Sequence, residues 1–437
     1  MLTRRRFLGY SAAGFLAATA GCRPANLKWF SDLQEEPANT RLSLTDKTRL
    51  AELKNRFLGY PVNMNTPPEA FFAWRHQLFE AGIDRFAYNN VGNPFQPSPI
   101  PYNTHDFERE TILRFGELFA FSPGNIWGFL SHSGTDSNMH GMYMGRTLLK
   151  GRTGETPKAY FTKESHYSIQ ILADLLGLER IMVDTLPDSG MDPDDLGQKL
   201  ADNPNHPALV VATTGTTFKG GIDWLDPIQK ALQGYPSYLH LDAALFGGYL
   251  PHTTYAGEVL HASETNPTIG RYDSIAVSCH KFFGFPSPAG LFITTESNFN
   301  EFNELYSQIH SPEYIGHVPG TITCSRDGVK PAEFYFFSSP SAWAKQTEDA
   351  QAVLQNADYL IGEMQSHFAD LLPQRANALS NTVYFKKPDD WIVEKYSLAT
   401  MQLEIDGMKE HYAHVVVMPH ADRKVLTEFL TDLDRTG

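Results

Sequence analysis

Four short segments of the chain carry residue types that can do chemistry, and each follows a predicted strand or opens a predicted helix. The first is Ser278-Cys279-His280-Lys281, directly after an apolar run. A lysine amine in such a place can bond covalently to an aldehyde cofactor. Alone this signal is weak, because most lysines lie on the solvated surface.

The second segment places Asp242 at the end of the apolar run 238–241, followed by Ala243 and Ala244. A carboxylate in an apolar setting needs a cationic partner. A protonated pyridine nitrogen would supply one, and the carboxylate would keep that nitrogen protonated. The small Ala244 side chain would let a flat ring lie against the strand end. The alternative is that Asp242 only caps the following helix.

The third segment, Ser133-Gly134-Thr135-Asp136, opens a helix that we predict over 136–149. Glycine and hydroxyl residues at a helix start bind phosphate through free N–H groups and the helix dipole. Because acidic residues are also ordinary at helix starts, this motif alone is weak.

The fourth segment, Ser165-His166-Tyr167-Ser168, lies between a predicted strand and a predicted helix. His166 could stack there on a flat ring. The alternative is a structural histidine whose ring nitrogens bond to its neighbours.

The elements that must position these segments alternate along the middle of the chain. Such alternation predicts a parallel sheet with helices on both faces, which binds ligands at the carboxyl ends of its strands. Strands are predicted over 159–162, 181–183, 208–213, 238–242, 274–278 and 290–294, and helices over 107–120, 136–149, 167–176, 192–201 and 225–233.

Four regions are predicted along the chain. Residues 1–21 read as an export signal, and 22–105 as an N-terminal linker and arm that is irregular over 59–105. Residues 106–335 would form the large domain. Residues 336–437 would form a long helix and a small C-terminal α+β domain.

The N-terminal run Arg4-Arg5-Arg6-Phe7-Leu8 precedes a short apolar stretch, which is typical of an export signal. The arginine pair resembles the bacterial twin-arginine signal, so we expect an exported, periplasmic protein. Ala20-Gly21-Cys22 also resembles the end of a lipoprotein box, and lipidation of Cys22 would anchor the chain to the membrane facing the periplasm. No transmembrane span is predicted in the mature chain, because no other run is long and apolar enough.

The bulk composition excludes some classes of function. The formal net charge is −14, from 36 basic and 50 acidic residues, so nucleic-acid binding is not expected. Three cysteines do not make a disulfide framework. No metal site is predicted.

Along the chain the motifs follow in the order phosphate turn, His166, Thr213, Asp242 and Lys281. This order resembles that of the group II amino acid decarboxylases, which depend on pyridoxal 5′-phosphate (PLP). The likeness is greatest to bacterial histidine decarboxylases and plant serine decarboxylases. It implies the aspartate aminotransferase fold type I, an α/β fold with a mainly parallel seven-stranded sheet. Supporting segments are 59–61, 89–95, 160–168, 215–220, 321–328 and 413–419.

The resemblance also implies a role for each motif residue. Lys281 would hold PLP covalently, His166 would stack on its ring, and Asp242 would pair with the ring nitrogen as the third catalytic residue. The other implied PLP-binding residues are Gly134, Thr135, Thr213, Ala244, Ser278 and His280.

Several positions depart from the family pattern. Serine stands at 133 and 137, and cysteine at 279 and 324, where the family usually has glycine, and Asp136 stands for glutamate. A serine keeps the N–H donor if it can adopt the required backbone angles. The departures therefore bear on affinity and substrate fit more than on the identity of the cofactor.

The implied reaction is decarboxylation of an L-amino acid, histidine or serine, to its amine and carbon dioxide. Alternatives are another reaction of the same fold type, such as transamination, or a catalytically inactive PLP-binding protein. Candidates for the substrate pocket are Tyr88 and Asn89, with Asn90 and Asn93 beside them in the irregular arm.

The resemblance further implies a homodimer whose site lies near the subunit boundary. Residues 314–326 have no clear periodicity and are predicted to form a long loop, which is commonly a lid or binding element. In relatives the matching loop reaches the neighbouring subunit's site. Tyr314 or His317 could then protonate the substrate carbon or close the pocket. The alternative is a surface loop without a catalytic part.

Overall fold

A central sheet of seven strands carries the four motifs in a computed structural model of the chain. The structure describes residues 53–260, 272–309, 312–405 and 407–435. The predicted export signal, Cys22 and most of the predicted linker lie outside these residues.

The strand order of this sheet is β1-β7-β6-β5-β4-β2-β3. Strand β7 is antiparallel to β1 and β6, and the other neighbours are parallel, so the predicted mainly parallel seven-stranded sheet is confirmed. The strands are β1 Trp127–Ser131, β2 Lys158–Thr162, β3 Arg180–Val183, β4 Ala208–Thr213, β5 Ser237–Asp242, β6 Ser274–Ser278 and β7 Gly290–Thr294.

The apolar character of the central strands explains their position. All six residues of β4 and all five of β6 are buried, as expected when helices cover both faces of a parallel sheet. The helices are α1 Glu69–Glu80, α2 His105–Leu118, α3 Gly134–Thr153, α4 Tyr167–Leu175, α5 Pro193–Ala201, α6 Leu225–Ala231, α7 Ala256–Val259, α8 Glu296–Ser307, α9 Val329–Phe334 and α10 Pro340–His367.

Helix α1 contradicts the prediction that 59–105 is irregular. Apolar side chains lie on both the buried and the exposed face of this helix, since Phe71 and Leu78 are buried while Phe72 and Phe79 are exposed. A helix without one clear apolar face gives no 3.6-residue signal in the sequence. The prediction was therefore wrong over these twelve residues.

The C-terminal part forms a second, three-stranded antiparallel sheet in the order β8-β10-β9. Its core also includes Leu58 from the N-terminal part of the chain. Its elements are β8 Thr382–Lys386, α11 Asp390–Lys395, β9 Ala399–Ile405, β10 Met408–Val416 and α12 Arg423–Asp434. In the described part of the chain, no helix has the length and apolarity needed to span a bilayer.

Candidate active site

A cavity of about 160 Å³ opens at the carboxyl ends of β4, β5 and β6 and at the start of α3. Parallel strands of an α/β sheet place their ligand sites at this edge. All nine predicted PLP-binding residues line the cavity. They are Gly134, Thr135, His166, Thr213, Asp242, Ala244, Ser278, His280 and Lys281.

The start of α3 forms one wall of the cavity. The Ser133 side chain caps the helix by accepting a hydrogen bond from the Asp136 N–H at 3.2 Å. The first N–H groups of a helix have no acceptor inside the helix. A Cβ added to Gly134 would lie 2.6 Å from Ser278 Oγ, so a larger residue here would displace the Ser278 hydroxyl at this end of the cavity.

The ends of β4 and β5 form the floor. Thr213 and Asp242 are both buried, and the Asp242 Oδ1 accepts a hydrogen bond from the Ala244 N–H at 3.1 Å. This bond orients the carboxylate toward the cavity end of the strand. The helix-cap alternative for Asp242 has no long helix to serve, because only short 3-10 turns follow at Phe246–Gly248 and Leu250–His252.

A buried carboxylate behind the floor supports Thr213. The Asp223 side chain accepts hydrogen bonds from the N–H groups of Thr213 at 2.7 Å and Met191 at 2.6 Å. Burial raises the pKa of Asp223 to about 7, although these two bonds lower it. Sequence reasoning missed this residue, because a lone aspartate in the segment 221–224 gives no signal of burial.

Lys281 lies on a turn after β6. Its carbonyl accepts hydrogen bonds from the N–H groups of Asn63 at 3.1 Å and Gly284 at 3.3 Å. Burial lowers the pKa of the Lys281 amine below its ordinary value, although the Asp242 carboxylate raises it. A lowered pKa leaves more of the amine neutral and nucleophilic near pH 7.

His166 caps the start of α4 from the other side of the cavity. Its Nδ1 accepts a hydrogen bond from the Ser168 N–H at 3.3 Å and lies 2.7 Å from Ser168 Oγ. Burial lowers the pKa of His166, while Asp242 raises it and Lys281 lowers it. A neutral ring can lie against another flat ring without the cost of burying a charge.

The departures from the family glycines are compatible with this backbone. Ser133 has an extended backbone with φ −170°, and Ser137 lies inside α3 with its hydroxyl 2.7 Å from Ser131 Oγ. Neither Cys279 nor Cys324 has a positive φ. No special glycine conformation is therefore required at any of these four positions.

The predicted substrate residues lie away from the cavity lining of one chain. Asn89 accepts a hydrogen bond from the Arg326 N–H at 3.2 Å, and the Tyr88 ring packs against Tyr102. His317 Nε2 accepts from the Asn93 N–H at 3.4 Å. Tyr314 is 82% exposed and lies in the predicted loop. Their roles in substrate binding stay predictions.

Six further residues line the cavity, and of these only Ser133, in the predicted phosphate turn, was named among the segments that carry chemistry. Gly215 was identifiable as a candidate, because it closely follows β4 and has φ +96°. Asn138 lies one helical turn after Gly134, and its Oδ1 lies 2.9 Å from His240 Nε2. The six are Pro61, Ser133, Asn138, Gly215, Thr217 and Leu245.

This set of residues fits a pyridoxal phosphate. The open end at Gly134 suits a phosphate at a helix start, and the buried Asp242 suits a protonated pyridine nitrogen. Lys281 is the one lysine that lines the cavity within the described chain. Its amine supplies the nucleophile that an aldehyde requires.

Comparisons with known proteins agree with this site. The sequence profile of the pyridoxal-dependent decarboxylase conserved domain matches residues 139–370. Histidine decarboxylase of Solanum lycopersicum is 32% identical over 88% of this chain and 86% of its own length. Serine decarboxylase 1 of Oryza sativa subsp. japonica is 31% identical over 92% of this chain and 76% of its own length.

A likeness to solved structures supports the fold alone. The crystal structure of L-methionine decarboxylase from Streptomyces sp. 590 has a TM-score of 0.75 at 22% identity, covering 90% of this chain and 94% of that one. The fold and site thus define a PLP-dependent α/β enzyme. The chain belongs to the pyridoxal-dependent decarboxylase family, and it is a PLP-dependent amino acid decarboxylase.

The residues of the cavity would have different roles in this reaction. When bound, PLP supplies an electron sink for the electron pair left on the α-carbon as carbon dioxide departs. Lys281 would hold the cofactor, and Asp242 would hold a proton at the pyridine nitrogen. The start of α3 would bind the phosphate, and His166 would keep the ring in place. The protein thereby contributes preorganised charge.

Proposed function

We propose that this protein decarboxylates L-histidine to its amine and carbon dioxide. The observation that carries the proposal is the likeness to histidine decarboxylases over most of the chain, with all nine cofactor residues at one cavity. Serine is the second candidate, because a rice serine decarboxylase matches a similar share of the chain.

A panel of carboxyl-labelled amino acids, assayed for carbon dioxide release with added PLP, tests the substrate. We expect the highest kcat/KM with histidine and background release from the Lys281→Ala variant. A higher kcat/KM with serine would replace histidine by the second candidate. Formation of a keto acid without carbon dioxide would instead indicate transamination.

We also propose that the enzyme is a homodimer in which the loop 314–326 serves the neighbouring subunit's site. Tyr314 is a large side chain that is 82% exposed in one chain and does not line its own cavity. A large apolar side chain that is exposed in a single chain would be buried if a second copy of the chain packed against it.

Subunit mixing tests the shared site. A Lys281→Ala subunit is combined with a Tyr314→Ala subunit, and each variant is expected to be inactive as a pure dimer. If the site is shared, a mixed dimer holds one site with both intact parts and recovers part of the activity. Mixed dimers that form but stay inactive would place the loop in its own subunit's site or outside catalysis.

The proposed location is the bacterial periplasm, reached in the folded state through Arg4 and Arg5. Changing both to lysine should leave precursor in the cytoplasm. Unchanged export would mean that the arginines are only the basic start of a general secretion signal. Mass spectrometry of the mature N-terminus would show whether Cys22 carries a lipid anchor.

A further inference from the structure

The segment 57–65, here named the strap, joins the small C-terminal domain to the loop that carries Lys281. At its first end the strap is hydrogen-bonded to the backbone of the small domain. The Leu58 N–H donates a hydrogen bond to the Tyr396 carbonyl at 3.0 Å, and the Leu58 carbonyl accepts one from the Val416 N–H at 2.8 Å. Leu58 is fully buried in the core of that domain.

Two buried histidines of the small domain hold the strap, His414 at its first end and His420 at both ends. His414 Nε2 lies 2.9 Å from the Gly59 carbonyl oxygen. His420 Nε2 lies 3.0 Å from the Phe57 carbonyl oxygen, and its Nδ1 accepts a hydrogen bond from the Met64 N–H at 3.2 Å. These bonds leave the strap little freedom to shift along the domain surface.

The packing at Gly59 fixes the strap further. A Cβ at this position would lie 2.3 Å from both the Ala399 nitrogen and the Ser397 carbonyl oxygen. Such distances to rigid backbone leave no room for a side chain. The position of the strap relative to β9 is therefore set by backbone contact, and Pro61 follows it into the cavity lining.

At its other end the strap holds the lysine loop through one residue, Asn63. The Asn63 N–H donates to the Lys281 carbonyl at 3.1 Å, and its Nδ2 donates to the Phe282 carbonyl at 2.9 Å. Its Oδ1 accepts from the Asn65 N–H at 3.0 Å, which orients the amide. Gly284, with φ +69°, completes the turn beneath the amide.

We propose that Asn63 is a positioning residue, which fixes the backbone at Lys281 so that the amine enters the cavity at one place. A lysine side chain has four flexible carbons. The position of its amine is therefore defined only if its backbone is held in place. Asn63 does not line the cavity, and it acts through Lys281. The strap thereby links the small domain to the covalent attachment of the cofactor.

The test compares two ligands that differ only in the group that reacts with Lys281. PLP carries the aldehyde, whereas pyridoxine 5′-phosphate carries an alcohol and cannot bond to the amine. Their Kd values are measured on the full-length protein freed of cofactor, as wild type and as the Asn63→Ala and Asn63→Asp variants. The aspartate variant would keep the side-chain size and the backbone N–H but lose the donor to Phe282.

We expect Asn63→Ala and Asn63→Asp to weaken PLP binding about tenfold, as one hydrogen bond is worth, and to leave pyridoxine 5′-phosphate binding unchanged. Borohydride trapping of PLP on Lys281 should slow in parallel. The control Asn65→Ala changes the same residue type two positions on and keeps the N–H that Asn63 uses. It should bind both ligands as the wild type does.

Three outcomes would overturn the proposal. Unchanged PLP binding would show that the bond from the Asn63 side chain to the Phe282 carbonyl does not place Lys281. Equal weakening of both ligands would show a general disturbance of the cavity. Loss of cooperative thermal unfolding in both variants would make Asn63 a structural residue of the fold.

Discussion

Thr213 and Asp242 lie on the same rung of the parallel β4–β5 pair, as Cα partners in register. Each is the last residue of its strand, so both side chains reach the cavity at one level. The Thr214 N–H then donates to the Asp242 carbonyl at 2.9 Å and extends the pairing past the strand ends. Two residues 29 positions apart thus become neighbours through strand register alone.

The first prediction concerns Lys281. Lys281→Ala should reduce turnover by at least about 10³-fold, because no other lysine lines the cavity among the described residues. The measurement is borohydride reduction followed by mass spectrometry of the peptide. A trapped adduct that persists in the variant would move the attachment to another residue.

Asp242→Asn should leave PLP bound and reduce kcat by about 10²–10³-fold, since an amide cannot hold a proton at the pyridine nitrogen. The amide oxygen can still accept the Ala244 hydrogen bond, so the local backbone should not change. Cofactor content and kcat are measured on the same sample. Full occupancy with near-normal kcat would limit Asp242 to a structural role.

Gly134→Ala should weaken PLP binding about 10- to 100-fold, because the new Cβ would lie 2.6 Å from Ser278 Oγ. Gly197→Ala is the matched control. Gly197 lies inside α5, and an added Cβ there meets no atom within 4 Å. The measurement is titration of cofactor-free protein with PLP. Equal affinities in the two variants would place the phosphate elsewhere.

The fourth prediction concerns the acid stability of the fold at His140. This histidine lies among the rings of Phe129, Phe292 and Phe302, and neither ring nitrogen has a hydrogen-bond partner in the described structure. Burial lowers its pKa to about 3 from 6.5. The stability that depends on a neutral His140 is therefore full above pH 6.5 and is lost as the pH falls from 6.5 toward 3.

His140→Phe should raise the free energy of unfolding by about 1–2 kcal/mol at pH 7, because it removes two unpaired buried nitrogens. At pH 5 the gain should be about 2 kcal/mol larger, since the wild-type unfolded chain binds a proton that the folded chain excludes. Urea unfolding at both pH values measures this. His411→Phe, at an exposed position of β10, is the control. A gain that does not change with pH would contradict the prediction.

Periodicity predicted six of the seven strands of the central sheet, because they are short apolar runs between helical segments, and it missed β1. The strand predicted over 274–278 and the one over 290–294 have the bounds of β6 and β7. Helix α1 was missed because Phe72 and Phe79 place apolar side chains on its exposed face. The spacing of apolar residues in the sequence indicates which side chains are buried only where one face of a helix or strand is clearly apolar.

The sequence by itself, through the order of its motifs and their resemblance to the decarboxylase family, predicted which residues could bind PLP. Only the tertiary structure decided which residues support them. Asp223 behind Thr213 and Asn63 behind Lys281 act through hydrogen bonds to backbone. Backbone atoms are the same in every residue, so such contacts leave no pattern in the sequence. They arise from where distant segments meet, and that is set by packing of the whole chain.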